Sequence, residues 1–176
     1  CSGLTTASSY GIAMTGQCIN NIVSNNEISN SCNSGIFMQS ADATHYPYQN
    51  VITGNRILAS GTNGIETYDI SGNLIANNVL TGNNVRNIAF QDIFIAQNLV
   101  GITDKNFVTG NRIGSPANPL RNNIQFAALS SNNVASGNVG DSATRATIDD
   151  STGNNFVTPV MNGVQTIAYA ASVTPD

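Results

Sequence analysis

An eight-residue pattern recurs along the chain and limits its fold more than any other feature. The pattern is Asn, two apolar residues, a variable position, then Gly, Asn or Pro, two variable positions and an apolar residue. Its copies begin at Asn21, Asn50, Asn73, Asn106, Asn133 and Asn155. A second apolar strand follows each complete copy, marked in turn by Ile36, Ile65, Ile88, Ile124 and Ile148. The offset from the leading Asn to this strand is 15 residues in four copies and 18 in the copy that begins at Asn106. Nearly fixed spacing inside the repeat and variable gaps between repeats predict a solenoid with loops inserted at one corner.

The length of the shortest repeats decides what kind of solenoid this is. The repeats from Asn50 to Asn73 and from Asn133 to Asn155 are 23 and 22 residues long. That length is too short for two helices but sufficient for three short strands and three turns. β-branched residues and Asn-Gly or Gly-Asn pairs are dense, and no helical periodicity is sustained. We therefore predict an all-β fold, a parallel β-helix of about six or seven coils with three short strands per coil.

Stacked coils lie about 4.8 Å apart, so equivalent residues should form columns. One column is predicted to be a structural ladder of amides, each donating to one neighbouring coil and accepting from the other: Asn26, Asn55, Asn78, Asn111 and Asn138. Two apolar columns are predicted to be core stacks. The first is Ile22, Val51, Leu74, Phe107, Val134 and Phe156, and the second runs from Ile36 through Ile88 to Ile148. None of these columns is predicted to bind a ligand.

Over roughly residues 9 to 160 the chain resembles the right-handed parallel β-helix superfamily, which includes pectate lyases, polygalacturonases and bacteriophage tailspikes. The resemblance rests on the repeated octet and on the Gly-Ile pairs Gly35-Ile36 and Gly64-Ile65 that follow it. It implies that the coils are right-handed. Because that superfamily contains lyases, hydrolases, epimerases and non-catalytic adhesins, the resemblance alone does not choose among functions.

Composition narrows the choice of partner. Only 9% of the residues are charged, the formal net charge is -4, and 40% of the residues are hydrophobic. An acidic chain is a poor partner for nucleic acid or for an anionic membrane surface. No apolar run approaches the roughly 20 residues of a membrane span. Because so few residues are charged, the surface of the protein must consist largely of neutral polar side chains. Such a surface suits the binding of a polysaccharide.

The resemblance also bears on domains and location. Residues 1–160 are predicted to form the β-helix domain, as part of a longer protein, and residues 161–176 to form a terminal strand or the start of a following domain. A solenoid exposes its last coil unless something covers it. A homotrimer, as in tailspikes, would cover such edges. The expected location is extracellular or virion-associated, with a bacterial or phage origin.

Cysteine and histidine give little evidence of a metal site. Cys18 and Cys32 flank the first octet and would pair only if the coil brought their Cα atoms within about 7 Å; the alternative is that both are free buried thiols. His45 is the sole histidine. No spacing of Cys and His suggests zinc. We predict no resident cofactor, and only a calcium ion on the acidic residues is left open.

Candidate chemistry concentrates at two insertions. The connection after Ile36 carries residues 41–48, and the connection after Ile88 carries residues 92–104, with a short connection in the coil between them. Two long loops on either side of a short one predict a cleft, and long loops on a rigid scaffold commonly carry function.

Three acidic residues at this cleft are the predicted catalytic groups. Alternation points Glu66 outward, while Asp69 and Asp92 are predicted to share one register in consecutive coils, with Cα atoms about 5 Å apart. When two carboxylates lie this near to each other, their repulsion raises the pKa of one of them. The pair then supplies a general acid beside a general base. The alternative is that the two aspartates cap turns or share a calcium ion.

The predicted substrate-binding residues are polar or aromatic side chains around those acids: His45, Tyr46, Tyr48, Tyr68, Gln39 and Gln91. Exposed tyrosine presents both a ring and a hydroxyl group to a sugar. A lyase would also need a cation against the uronate carboxylate, for which Arg86, Arg121 and Lys105 are candidates. For each of these residues an ordinary surface role is the alternative.

Three functional classes remain compatible with these features. The first is a polysaccharide hydrolase or lyase of the tailspike or pectinase kind. The second is a non-catalytic shaft that binds or adheres to a glycan. The third is a structural or ice-binding solenoid, which the mixed outward residues Phe37, Glu66 and Ala89 disfavour because ice binding needs a regular array of threonines.

Overall fold

The computed structural model describes residues 9–88, 91–98, 102–114, 122–127, 129–140, 147–149 and 155–157. Their strands are β1 Ile12–Thr15, β2 Ile22–Ser24, β3 Glu27–Ser29, β4 Ile36–Gln39, β5 Val51–Thr53, β6 Arg56–Leu58, β7 Ile65–Tyr68, β8 Leu74–Ala76, β9 Val79–Thr81, β10 Gln91–Ala96, β11 Phe107–Thr109, β12 Arg112–Ile113, β13 Asn122–Phe126, β14 Val134–Ser136, β15 Val139–Gly140, β16 Thr147–Asp149 and β17 Phe156–Val157. Among these residues no helix is long and apolar enough to cross a membrane.

The strands form three parallel sheets, each containing one strand from every coil. In the first sheet the neighbouring strands follow the order β1-β4-β7-β10-β13-β16. The second sheet has the order β2-β5-β8-β11-β14-β17, and the third has the order β3-β6-β9-β12-β15. Every strand pairs with its counterpart one coil away, as the repeat predicts. The prediction of an all-β parallel β-helix is confirmed.

The core is made of columns of inward-facing side chains between the three sheets. On the second sheet the inward column contains Ile52, Ile75 and Val108, all fully buried. The third sheet contributes a column that includes Ile57 and Leu80. Apolar side chains stacked at the strand spacing exclude water along the whole axis, and this burial is the main stabilising term of the fold.

One predicted core stack faces the solvent. The column Ile22, Val51, Leu74, Phe107, Val134 and Phe156 is in register as predicted, but Ile22 is 70% exposed and Phe156 is 61% exposed. The next residue of each octet occupies the core instead. Both positions are apolar, so the sequence pattern alone does not indicate which of them points inward, and alternation then places every member of the column outside.

The second predicted core column is wrong in its third and fifth members. Ile65 pairs with Ile93, not with Ile88, and Ile124 pairs with Thr147 rather than with Ile148. Ile88 precedes β10 and is 54% exposed. This coil is ten residues longer than the coil from Asn50 to Asn73. Five of the extra residues precede Ile93 and five follow it, whereas the prediction placed all of them after the strand.

The amide column is confirmed, and a second one accompanies it. In each column the Asn Nδ2 atom donates to the Asn Oδ1 atom of the next coil at 2.9–3.0 Å. The second column is made of the leading asparagines of the octets: Asn21, Asn50, Asn73, Asn106, Asn133 and Asn155. We call the two columns the Asn ladders. They keep the buried polar groups of two corners paired.

The two cysteines near the first octet do not pair with each other. Cys32 is in a disulfide, whereas Cys18 is a free thiol whose Sγ donates to the Thr15 carbonyl at 3.3 Å. The alternative prediction of two free thiols is therefore wrong for Cys32. The predicted terminal segment 161–176 lies outside the described residues.

A groove on the outer face of the first sheet

The first sheet carries a groove of about 330 Å³ on its outer face. Its lining consists of Thr62, Asn63, Glu66, Tyr68, Ile88, Gln91 and Phe94. Most of these side chains come from β7 and β10, which are adjacent parallel strands, so the groove stands on rigid backbone. Residues 84–86 extend back over the previous coil through hydrogen bonds to the carbonyls of residues 60–62, and Ile88 follows them as one wall.

Aromatic rings form a column along the solenoid axis beside this groove. Tyr10 stacks on Phe37 at a centroid distance of 4.2 Å, Phe37 lies 6.1 Å from Tyr68, and Tyr68 meets Phe94 edge-on at 5.7 Å. The column exists because Phe37, Glu66 and Phe94 share one register on consecutive strands, with Tyr68 two positions further along. The rings contact one another, and two of them, Tyr68 and Phe94, line the groove as apolar surface.

Glu66 is the central polar group of the groove. The Tyr68 hydroxyl donates to Glu66 Oε1 at 2.8 Å, and the buried Ser34 hydroxyl donates to Glu66 Oε2. Burial, followed by the negative charge of Glu66, raises the pKa of Tyr68. The pKa of Tyr10 is raised for the same two reasons, with burial again the larger. Both tyrosines therefore remain protonated donors at neutral pH.

The predicted catalytic residues do not form one site. Asp92 lies one position before Ile93, and Asp69 lies one position after Tyr68, at the opposite ends of paired strands. At about 3.3 Å per residue this offset separates them by roughly 16 Å, so the predicted shared register is wrong. The error follows from the misplaced Ile88, and it also removes the geometry for a calcium ion held by both aspartates.

Each aspartate instead has a buried structural position. Asp69 has a positive φ of 53° and accepts hydrogen bonds from Ser40 Oγ and from the Asn98 backbone N–H, both at 3.1 Å. Asp92 accepts a hydrogen bond from Asn83 Nδ2 at 3.1 Å. Both side chains are fully buried. The contacts of Asp69 agree with the turn-capping alternative, because its carboxylate pairs polar groups directly after β7 ends. Asp92 lies within β10 and binds the Asn83 side chain of the connection before that strand.

Three of the predicted substrate-binding residues share an exposed loop away from the groove lining. His45 Nδ1 lies 2.8 Å from Asp42 Oδ2, and hydrogen bonds from Thr44, followed by those from His45, lower the pKa of Asp42. The rings of Tyr46 and Tyr48 are 6.0 Å apart. This loop, residues 40–50, therefore forms a local cluster, and the structure does not bring it together with Glu66.

The remaining predicted binding residues fall on the first sheet. Tyr68 and Gln91 line the groove, whereas Gln39 is paired in register with Tyr68 and lies outside the lining. Sequence reasoning missed Asn63, Thr62 and Phe94, and it placed Ile88 in the core. Phe94 carried a usable signal, since an outward aromatic residue should follow Phe37 and Glu66 in their column once Ile93 is taken as the inward residue.

Metal-binding side chains are sparse in the part of the chain that the structure describes. It contains no group of three or more His, Cys, Asp or Glu residues placed to hold a metal ion. His45 contacts Asp42, Cys18 donates to a carbonyl, and Met14 and Met38 are buried core neighbours in one register.

Comparison with protein families finds a match. The model of the family described as "Periplasmic copper-binding protein (NosD)" matches residues 3–93. Searches of curated proteins and of solved structures found no match. The likeness to pectate lyases, polygalacturonases and tailspikes therefore stays a prediction. Since the matched segment is more than half of the chain, the protein belongs to the NosD family of β-helix proteins.

Proposed function

We propose that the protein is a glycan-binding β-helix, and that the groove around Glu66 holds a short segment of a saccharide. The observation that carries this proposal is the lining itself: a carboxylate, two amides and two hydroxyl groups stand beside Tyr68, Phe94 and Ile88. Sugar rings present hydroxyl groups at their edges and C–H groups on their faces. A lining that combines polar acceptors with apolar walls suits both.

The size of the groove supports a short segment rather than a long one. Small-molecule sites usually begin at about 300 Å³, and this groove has about 330 Å³. Its floor belongs to paired strands, so little ordering is needed when a ligand binds. A rigid site of this size favours a few sugar units.

Binding is a better proposal than cleavage. Glycoside hydrolysis generally uses two carboxyl groups about 5 to 9.5 Å apart, and among the residues that the structure describes Glu66 is the one carboxylate in the lining. A lyase needs a free cation, but Arg86 donates to Asn33 Oδ1 at 2.9 Å and Lys105 pairs with Asp104 at 3.1 Å. Arg121 lies outside the described residues. Cleavage therefore stays a prediction, with Glu66 as its one candidate in the groove.

The family description suggests a location and a metal. We extend the periplasmic location to this chain, which narrows the predicted extracellular setting to the bacterial envelope, and association with a virion has no support. The copper-binding description does not fit the described residues, because their imidazole, thiol and thioether groups are isolated, hydrogen-bonded or buried. No role in copper chemistry is derived for them. The homotrimer stays a prediction.

Titration calorimetry with a panel of neutral, amine-bearing and uronic acid oligosaccharides tests the proposal. The variant Ile88→Arg should block the groove with a long side chain and weaken binding by tenfold or more. The matched control is Val85→Arg, on the same loop, half exposed and outside the lining. Saccharide binding that both variants reduce equally, or that neither reduces, would place the site elsewhere.

A further inference from the structure

We infer that Glu66 makes the groove selective for charge, so that it prefers saccharides with free amino groups, accepts neutral ones and rejects uronates. This inference rests on the proposed glycan-binding function and specifies the class of ligand. Among the lining residues that the structure describes, Glu66 is the one with an acidic or basic side chain. The negative charge of Glu66 therefore makes the described lining of the groove negative.

No cation offsets this charge in the described part of the chain. The ion pairs found there join His45 to Asp42, Arg56 to Glu27 and Lys105 to Asp104, and none includes Glu66. Arg86, which begins on the loop beside the groove, is turned to Asn33. A carboxylate that is half-buried without a cation gains most from a ligand that brings one.

The hydroxyl protons around Glu66 are already in use. Ser34 gives its single hydroxyl proton to Glu66, so in the 2.8 Å contact between Ser34 Oγ and Thr62 Oγ1 the threonine must be the donor. Tyr68 also donates to Glu66. These three hydroxyl groups can therefore offer a ligand only their lone pairs, which accept from ligand hydroxyl and ammonium groups.

The side-chain amides of the lining also donate some of their protons to other groups of the protein. Asn63 Nδ2 donates to the Gln91 carbonyl at 2.6 Å, and Gln91 Nε2 donates to Gln125 Oε1. Each amide nitrogen keeps one further proton, which is enough to bind a sugar hydroxyl. Two single neutral donors do not compensate a ligand carboxylate for its repulsion by Glu66.

The test uses three oligosaccharides of equal length at pH 6 and low salt: a glucosamine, an N-acetylglucosamine and a galacturonic acid oligomer. We expect the glucosamine oligomer to bind at least tenfold more tightly than the N-acetylated one, and the galacturonate oligomer at least tenfold more weakly. The differences in affinity among the three oligomers should decrease as salt is added, because ions screen the charges.

The variant Glu66→Gln should remove most of these differences in affinity while it keeps a side chain of the same shape. The matched control Glu27→Gln makes the same change of net charge on the exposed third sheet, where Glu27 pairs with Arg56 at 3.1 Å, and it should leave the ranking intact. Equal affinity of the wild-type protein for all three oligomers would overturn the inference but keep the proposed function. Failure to bind any saccharide would overturn both.

Discussion

Two regions of the solenoid differ in how strictly they repeat. The corner between the second and third sheets contains two residues in each of five coils, at 25–26, 54–55, 77–78, 110–111 and 137–138. Around the first sheet the connections vary, from residues 59–64 to 82–90 before the strand and from 69–73 to 40–50 after it. The constant corner holds the Asn ladder that begins at Asn26, while the groove lies where the lengths of the connections change.

The cause of the constant corner is local. Its first residue always has a left-handed φ, between 55° and 66°, and is Asn or Gly, the residue types that adopt this conformation most readily. Its second residue is an asparagine of the Asn ladder, tied to both neighbouring coils. An added residue would break the ladder on both sides. The second Asn ladder fixes the residues just before the strands of the second sheet in the same way. The variable residues lie between that ladder and the strands of the first sheet, and before those strands, where the loops can change and carry chemistry.

The largest expected effect comes from cutting a ladder in its interior. In Asn78→Ala the buried Asn55 N–H and Ile52 carbonyl lose the partners that Asn78 provides. At about 1–3 kcal/mol for each unpaired buried group, we expect a loss of about 4 kcal/mol in the free energy of unfolding, measured by denaturant titration. Asn26→Ala, at the exposed end of the same ladder, should cost about 0.5 kcal/mol. Equal losses would mean that the ladder does not stabilise the corner.

The next largest loss of stability is expected from a substitution in the core, which a comparison of two isoleucines on neighbouring strands of the second sheet tests. Ile52 is fully buried and Ile22 is 70% exposed. Ile52→Ala should cost about 3 kcal/mol, because it leaves a cavity in the core. Ile22→Ala should stay within about 0.5 kcal/mol. A large loss from Ile22→Ala in a monomeric sample would contradict the outward position of its column.

A smaller effect is expected at the left-handed position of the corner. A Cβ atom at Gly110 would meet Asn77 Oδ1 at 2.5 Å, whereas the nearest atom to a Cβ at Gly137 is Thr109 Oγ1 at 3.8 Å. Gly110→Asn forces the Asn77 side chain to move and should cost about 1 kcal/mol. Gly137→Asn should be neutral within about 0.5 kcal/mol, since asparagine tolerates this φ. Thermal unfolding of both variants gives the comparison.

The smallest effect on stability is expected in the groove. Tyr68→Phe removes one hydrogen bond to Glu66 and should cost about 1 kcal/mol or less at pH 7. Because the pKa of Tyr68 is raised in the folded state, its contribution is complete below about pH 10 and is lost as pH rises further. The wild-type protein should therefore lose stability above pH 10 more steeply than Tyr68→Phe. Parallel stability curves from pH 9 to 11.5 would contradict the raised pKa.

The sequence predicted the regular part of the fold well, and the reasons for its failures are physical. The Asn ladder through Asn78 and the pairing of Ile36 with Ile65 follow directly from spacing. Which octet position faces the core does not, since Ile22 and Val23 are equally apolar. The position of β10 was also open, because a coil can absorb extra residues before or after a strand and Ile88 satisfied the same count as its counterparts.

The candidate site depended on that undetermined register. Glu66 and Tyr68 were placed correctly on the outer face because their own coil is short and regular. Phe94 and Asp92 belong to the irregular coil. An error of five residues in the register of that coil put the buried Asp92 into the predicted site and left out Phe94, which lines the groove. Site prediction in a solenoid is therefore only as accurate as the register of the least regular coil.

The Asn ladders also run in a single direction. In both of them the backbone N–H of each asparagine donates to the Oδ1 atom of the next coil, from Asn21 towards Asn155 and from Asn26 towards Asn138. The side-chain carbonyls consequently all point back towards the first coil. Peptide dipoles of parallel strands largely cancel along this axis, but these amide dipoles add, as backbone dipoles do in an α-helix. The negative end of the summed side-chain amide dipole therefore lies at the first coil of the solenoid.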